Sequence, residues 1–148
     1  MSLEQMRDDQ AITALGYAIF QELRKRKKEE DRTKKKAKRA GYLLIAFSIC
    51  LVTDLFFFQT QRLMSIEQLH LLLSDPLIVL LSLLALLTWF AYQKFQKDAD
   101  DAEDDFDDLR EEAIKRSWEI WAKELDGTAR AAAMNYLLEK EDINLYYK

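Results

Sequence analysis

Apolar and polar positions are strongly segregated along this chain. Residues 41–60 read GYLLIAFSICLVTDLFFFQT, and residues 76–93 read PLIVLLSLLALLTWFAYQ, the second run without a charge. About eighteen or more apolar residues are enough to cross the hydrocarbon core of a bilayer as helix. A core helix of a soluble protein is usually shorter and keeps a polar stripe, which neither run has. The pattern predicts two transmembrane helices, 41–60 and 76–93, joined by a short external loop, 61–75.

The flanks carry helical spacing too. In residues 1–40, Leu3 and Met6 precede Ile12, Leu15, Ile19 and Leu23, whose spacings of 3, 4 and 4 predict a helix with one apolar face. Gly16 weakens that pattern without ending it. No Pro or Gly falls in 17–40, so one helix is expected to run on into the first span. In the loop, Ser65 and Gln68 form a capping-box pattern. Ile66, Leu69, Leu72 and Leu73 then line one side of a short helix suited to the outer membrane surface. Asp75 before Pro76 reads as a helix start, with Asp75 as cap. Beyond the second span, Phe95, Ala99, Ala102, Phe106, Leu109 and Ala113 repeat at 4, 3, 4, 3 and 4, a heptad seam. Ile120, Trp121 and Leu125 extend it, giving a helix over 94–126 that stops at Asp126-Gly127. Residues 128–148 are expected to hold a last helix, capped by Thr128 and burying Ala129, Ala132, Ala133, Tyr136 and Leu137, followed by a tail. The fold class is an all-α membrane protein. A two-helix transmembrane hairpin is extended by an antiparallel cytoplasmic helical hairpin and a short C-terminal helix.

Charge adds orientation. The chain has 148 residues and a net charge of −4. Residues 1–40 carry 12 basic against 7 acidic side chains, and residues 94–148 carry 9 against 16. Lys34, Lys35, Lys36, Lys38 and Arg39 stand before the first span, Lys94 and Lys97 follow the second, and the loop has only Arg62. The positive-inside rule puts both termini in the cytoplasm of a multi-pass plasma-membrane protein. Tyr42, Trp89, Phe90 and Tyr92 mark the cytoplasmic interface. Antiparallel helices rising 1.5 Å per residue would set residue 40−n beside residue 94+n. The basic stretch 24–39 then meets the acidic stretch 95–110, and 12–23 meets 111–122. The alternative is that both charge runs are solvated.

Candidate sites are few. Asp54 is the ionisable residue inside a span, where a carboxylate costs roughly 2.5–3.5 kcal/mol at the centre and less off-centre. It either serves ion or proton movement or reaches toward the outer interface. Asp75 is either a pore-mouth charge or a cap. Phe95, Phe106, Leu109, Trp118, Trp121 and Leu125 form a candidate interaction face. The basic group from Lys34 to Arg39 is placed to face anionic lipid rather than nucleic acid. The acidic run lacks EF-hand spacing, so no metal is expected. One His, one Cys (Cys50, in the first span) and three glycines offer no phosphate loop and no nucleophile–base pair. No catalytic residue and no cofactor are assigned, and an enzyme is not expected.

The central hairpin, the FQKDADDAEDDFDDLR stretch, Trp121 and the terminal DINLYYK resemble the YpbF-like small two-span membrane proteins of Gram-positive bacteria. The resemblance implies a plasma-membrane location and transfers no activity. The expected function is structural or regulatory, with the cytoplasmic helices binding an unidentified protein partner or self-associating as a homo-oligomer. The alternative is an oligomeric pore or channel, holin-like or cation-conducting, with Asp54 and Asp75 as its charges.

Overall fold

Backbone turns at Gln10 and Arg116 interrupt the helices. A computed structural model describes residues 3–8, 10–59, 70–71, 74–121 and 127–146. Among them the helices are α1 (Leu3–Asp8), α2 (Ala14–Phe57), α3 (Pro76–Lys115), α4 (Ser117–Ile120) and α5 (Gly127–Glu141). No strand occurs among the described residues, and Ile12 and Trp121 form an isolated antiparallel bridge. Most of the loop expected at 61–75, its short helix included, and Leu125 lie outside the described residues.

The expected unbroken N-terminal helix is corrected first. Gln10 adopts a left-handed φ of 54°. Its N–H donates to the Arg7 carbonyl at 3.0 Å, and the Ala11 N–H donates to the Met6 carbonyl at 2.9 Å. These are the two bonds of a Schellman closure, achieved without glycine at a cost of about 1–2 kcal/mol. The turn lets Met6, Ala11 and Ile12 bury together. Thr13 then restarts the helix. Its hydroxyl accepts the Gly16 N–H at 3.0 Å, as an N-cap does. Helix α2 therefore buries Gly16, Phe20 and Leu23, and it leaves Leu15 exposed and Ile19 half-buried.

The second correction concerns the helix expected over 94–126. Helix α3 ends at Lys115. Arg116 turns the chain, α4 makes one turn, and Trp121 is extended. Gly127 begins α5 instead of ending a preceding helix. The C-terminal tail is also part of the core. Asp142 takes φ 56°, the Ile143 N–H reaches the Leu137 carbonyl at 3.0 Å, and Ile143 and Leu145 are buried.

The described residues form two compact units, one of residues 1–32 with 100–148 and one of residues 33–99. The first has a core built on Met6, Phe20, Leu23, Ile120, Leu137 and Ile143. Each such side chain contributes about 1.5–3 kcal/mol on burial. The Phe20 and Trp121 rings meet at 5.5 Å with a 52° tilt, a favourable aromatic geometry. From the seam, Phe106 and Ala113 are buried and Leu109 packs against them.

In the second unit Leu43, Ile45, Ile49, Phe56, Leu80, Leu83 and Phe90 are exposed. The apolar parts of α2 and α3 have mean hydropathies of 2.0 and 1.8, long and apolar enough to cross a membrane. Gly41 packs against Tyr92, whose Cε2 would stand 3.4 Å from an added Cβ.

A methyl group on Gly16 would lie 2.5 Å from the Ile120 carbonyl oxygen, a backbone atom that cannot step aside. Gly16→Ala should destabilise the first unit by about 1–3 kcal/mol. Gly41→Ala, meeting only a ring edge, should be neutral or slightly stabilising through helix propensity. Thermal melts followed by circular dichroism check the contrast. Equal melting temperatures for the two variants would refute it.

Candidate functional site

The basic stretch of α2 partly meets the acidic stretch of α3. Arg26 Nη1 contacts Asp105 Oδ2 at 3.1 Å, and Lys27 Nζ sits 5.2 Å from the Phe106 ring centre. These pairs lie within about one helical turn of the expected register. Other basic residues turn to the end of α5. Arg24 Nε reaches Glu141 Oε2 at 2.8 Å. Lys27 Nζ contacts Asp142 Oδ2 at 3.2 Å and the buried Glu30 at 3.3 Å. Cations at a helix C-terminus also complement its dipole. Burial pulls the Lys27 pKa down, but its contacts with Asp142 and Glu30 outweigh this and raise it overall. Arg110 donates to the Asn144 carbonyl, tying the tail to α3.

A second cluster holds the junction of α3 and α4. Arg116 contacts Glu119 at 2.6 Å and Glu112 at 2.8 Å. These two carboxylates, Glu119 first, raise its pKa. Thr13 reaches the other side of α4, donating its hydroxyl to the carbonyls of Glu119 at 2.8 Å and Ile120 at 3.1 Å. With both sides held, Trp118 is left 73% exposed while Trp121 is only 6% exposed. The expected interaction face therefore divides. Phe106, Leu109 and Trp121 belong to the chain's own core, Phe95 is half-buried in the other unit, and Trp118 faces outward.

In the second unit Asp75 is a cap. Its Oδ1 accepts the Leu77 N–H at 3.1 Å, and its Oδ2 accepts the Gln59 side-chain amide at 3.0 Å. Asp54 is half-buried, and its Oδ2 is enclosed without a hydrogen-bond partner among the described residues. Lys35, Lys36, Lys38 and Arg39 are exposed and Lys34 half-buried. Among the described residues no group of three or more His, Cys, Asp or Glu could hold a metal ion.

The spacing of apolar residues missed Thr13, Gly16, Phe20 and the docked tail. Thr13 alone, without Glu or Gln three residues on, carries only a weak capping signal. Nothing local links Arg24 or Lys27 to residues 141 and 142.

These features define an all-helical protein with two helices able, by length and composition, to cross a membrane. Residues 19–148 match the model of one family, and the chain belongs to it: protein of unknown function (DUF2663). No curated protein and no solved structure matches the chain.

Because the folded pKa of Lys27 is raised, its contacts stabilise fully below the ordinary lysine pKa, about 10.4. That stability is lost as pH rises through the folded value. The melting-temperature advantage of wild type over Lys27→Gln should hold from pH 7 to about pH 10 and shrink above it. An advantage that stays constant into that alkaline range would refute the assignment.

Proposed function

We propose that this chain is a two-pass protein of a bacterial plasma membrane, of the YpbF-like Gram-positive type, with a structural or regulatory role. In this reading the apolar parts of α2 and α3 cross the bilayer as a hairpin with both termini in the cytoplasm. The unit of residues 1–32 and 100–148 then docks on a protein partner or on a second copy. The observation that carries the reading is a contrast in burial. The apolar side chains of residues 41–57 and 76–93 are largely exposed, whereas those of the other unit fill a core. Exposed apolar surface of that extent marks a membrane or an interface. Among the described residues of the cored unit, Trp118 is the most exposed large aromatic, and Trp is enriched among residues that dominate binding.

Topology is testable with cysteine variants in a Cys50→Ser background. Glu67→Cys should react with an impermeant maleimide from outside intact cells, and Lys28→Cys should react only after lysis. The reverse pattern overturns the orientation. Trp118→Ala should leave stability within about 0.5 kcal/mol. It should weaken partner or self-association by about 2 kcal/mol, roughly thirtyfold. Crosslinked species unchanged by this substitution would sink the docking face.

Asp54 favours a second reading, an oligomeric pore, because an enclosed carboxylate oxygen without a partner among the described residues is expensive inside a membrane. Light scattering on the protein in nanodiscs should then give a ring of four or more copies, with cation flux abolished in Asp54→Asn. A monomer or dimer removes the pore.

A further inference from the structure

Within residues 33–99 a groove of about 390 Å³ opens between α2 and α3, a volume typical of ligand clefts. On α2 it is lined by Lys36, Arg39, Ala40 and Leu43, a spacing that keeps all four on one helix face. The opposite wall comes from Leu87, Thr88, Ala91 and Phe95. The small side chains of Ala40 and Ala91 leave the hollow, and the neighbouring contact of Gly41 with Tyr92 holds the helices close. That contact, with the Gln59–Asp75 hydrogen bond, makes the two helices antiparallel here. Leu43 and Leu87 therefore lie toward one end of the groove and Lys36 and Arg39 toward the other.

The groove has an amphiphilic lining. The Thr88 hydroxyl donates to the Leu84 carbonyl at 2.7 Å, so its hydrogen is already used within the helix. Positive charge is confined to the end bearing Lys36 and Arg39. Both side chains are exposed, and neither makes an ion pair with the described residues, Asp98 of the same unit included. A free anion would leave the apolar walls uncovered, and a neutral hydrocarbon would leave the cations unmatched. We infer that this groove binds one anionic phospholipid, with an acyl chain against Leu43, Leu87 and Ala91 and the phosphate on Lys36 and Arg39.

The inference rests on the membrane reading, so insertion is measured separately. Full-length chain is reconstituted into vesicles of equimolar phosphatidylcholine and phosphatidylglycerol, tested for resistance to alkaline carbonate, then extracted. The lipid retained per protein is counted by native mass spectrometry. Wild type should retain phosphatidylglycerol over phosphatidylcholine by roughly thirtyfold, the scale of two cationic contacts at a lipid surface. Lys36→Gln with Arg39→Gln should bring the ratio near parity, and Ala91→Trp, which fills the groove and keeps its charge, should do the same. Lys35→Gln with Lys38→Gln should leave the preference intact. An equal loss in that control means diffuse surface attraction and overturns the site. So does undiminished preference in Ala91→Trp, or a change of its oligomeric mass in place of its lipid content, which would mark an interface between copies. Binding of glycerol phosphate alone with the same dependence on Lys36 and Arg39 also overturns it. A chain stripped from the vesicles by carbonate overturns both this inference and the membrane reading. A chain that stays inserted without lipid preference overturns only this one.

Discussion

The carbonyl of Ile120 is the point on which the cored unit depends. It accepts the backbone N–H of Thr13 at 2.9 Å and lies within reach of the Thr13 hydroxyl. The Cβ of any other residue at position 16 would fall almost on top of it. A helix start and a helix end are joined there, and groups that would otherwise be orphaned satisfy each other. Buried backbone polar groups without partners cost about as much as a lost hydrogen bond. The chain can interrupt two helices at this place because each break supplies the other's partner. Met6, Ile12, Phe20 and Trp121 reach the core through that junction.

Much of the architecture was legible as periodicity. Two unstriped apolar runs announced the long helices, and the heptad spacing of Phe106, Leu109 and Ala113 announced a packed face. Asp75 before Pro76 was legible as a cap, one of its two readings, because capping is a local act of one side chain on nearby backbone. What failed was non-local. The α1–α2 break at Gln10 uses a left-handed residue that is neither Gly nor Asn, so no turn signal was present. Once α2 restarts at Ala14, the buried face rotates from Leu15 and Ile19 to Gly16 and Phe20, and spacing alone could not tell these stripes apart. Phe106, Leu109, Ala113 and Trp121 pack into the chain's own core, whereas Trp118 faces outward.

The charge runs teach a related lesson. Matching 24–39 to 95–110 by depth gave the neighbourhood of Arg26 and Asp105 to within a turn. It could not foresee that Arg24 and Lys27 prefer the end of α5. Blocks of like charge along a helix specify a sign at each depth, whereas the tail that competes for them is positioned by Ile143 and Leu145 entering the core.

That tail has a consequence for how the protein is made. The core brings Leu3 and Met6 together with Ile143 and Leu145, residues from opposite ends of a 148-residue chain. At roughly 5–20 residues per second of synthesis, the N-terminal helices wait on the order of ten seconds for the side chains that complete their packing. During that interval Phe20 and Leu23 are unburied and the apolar segments between have already emerged. The cored unit is therefore completed only after Ile143 and Leu145 have been made. Its N-terminal third is the part most in need of protection while translation is still under way.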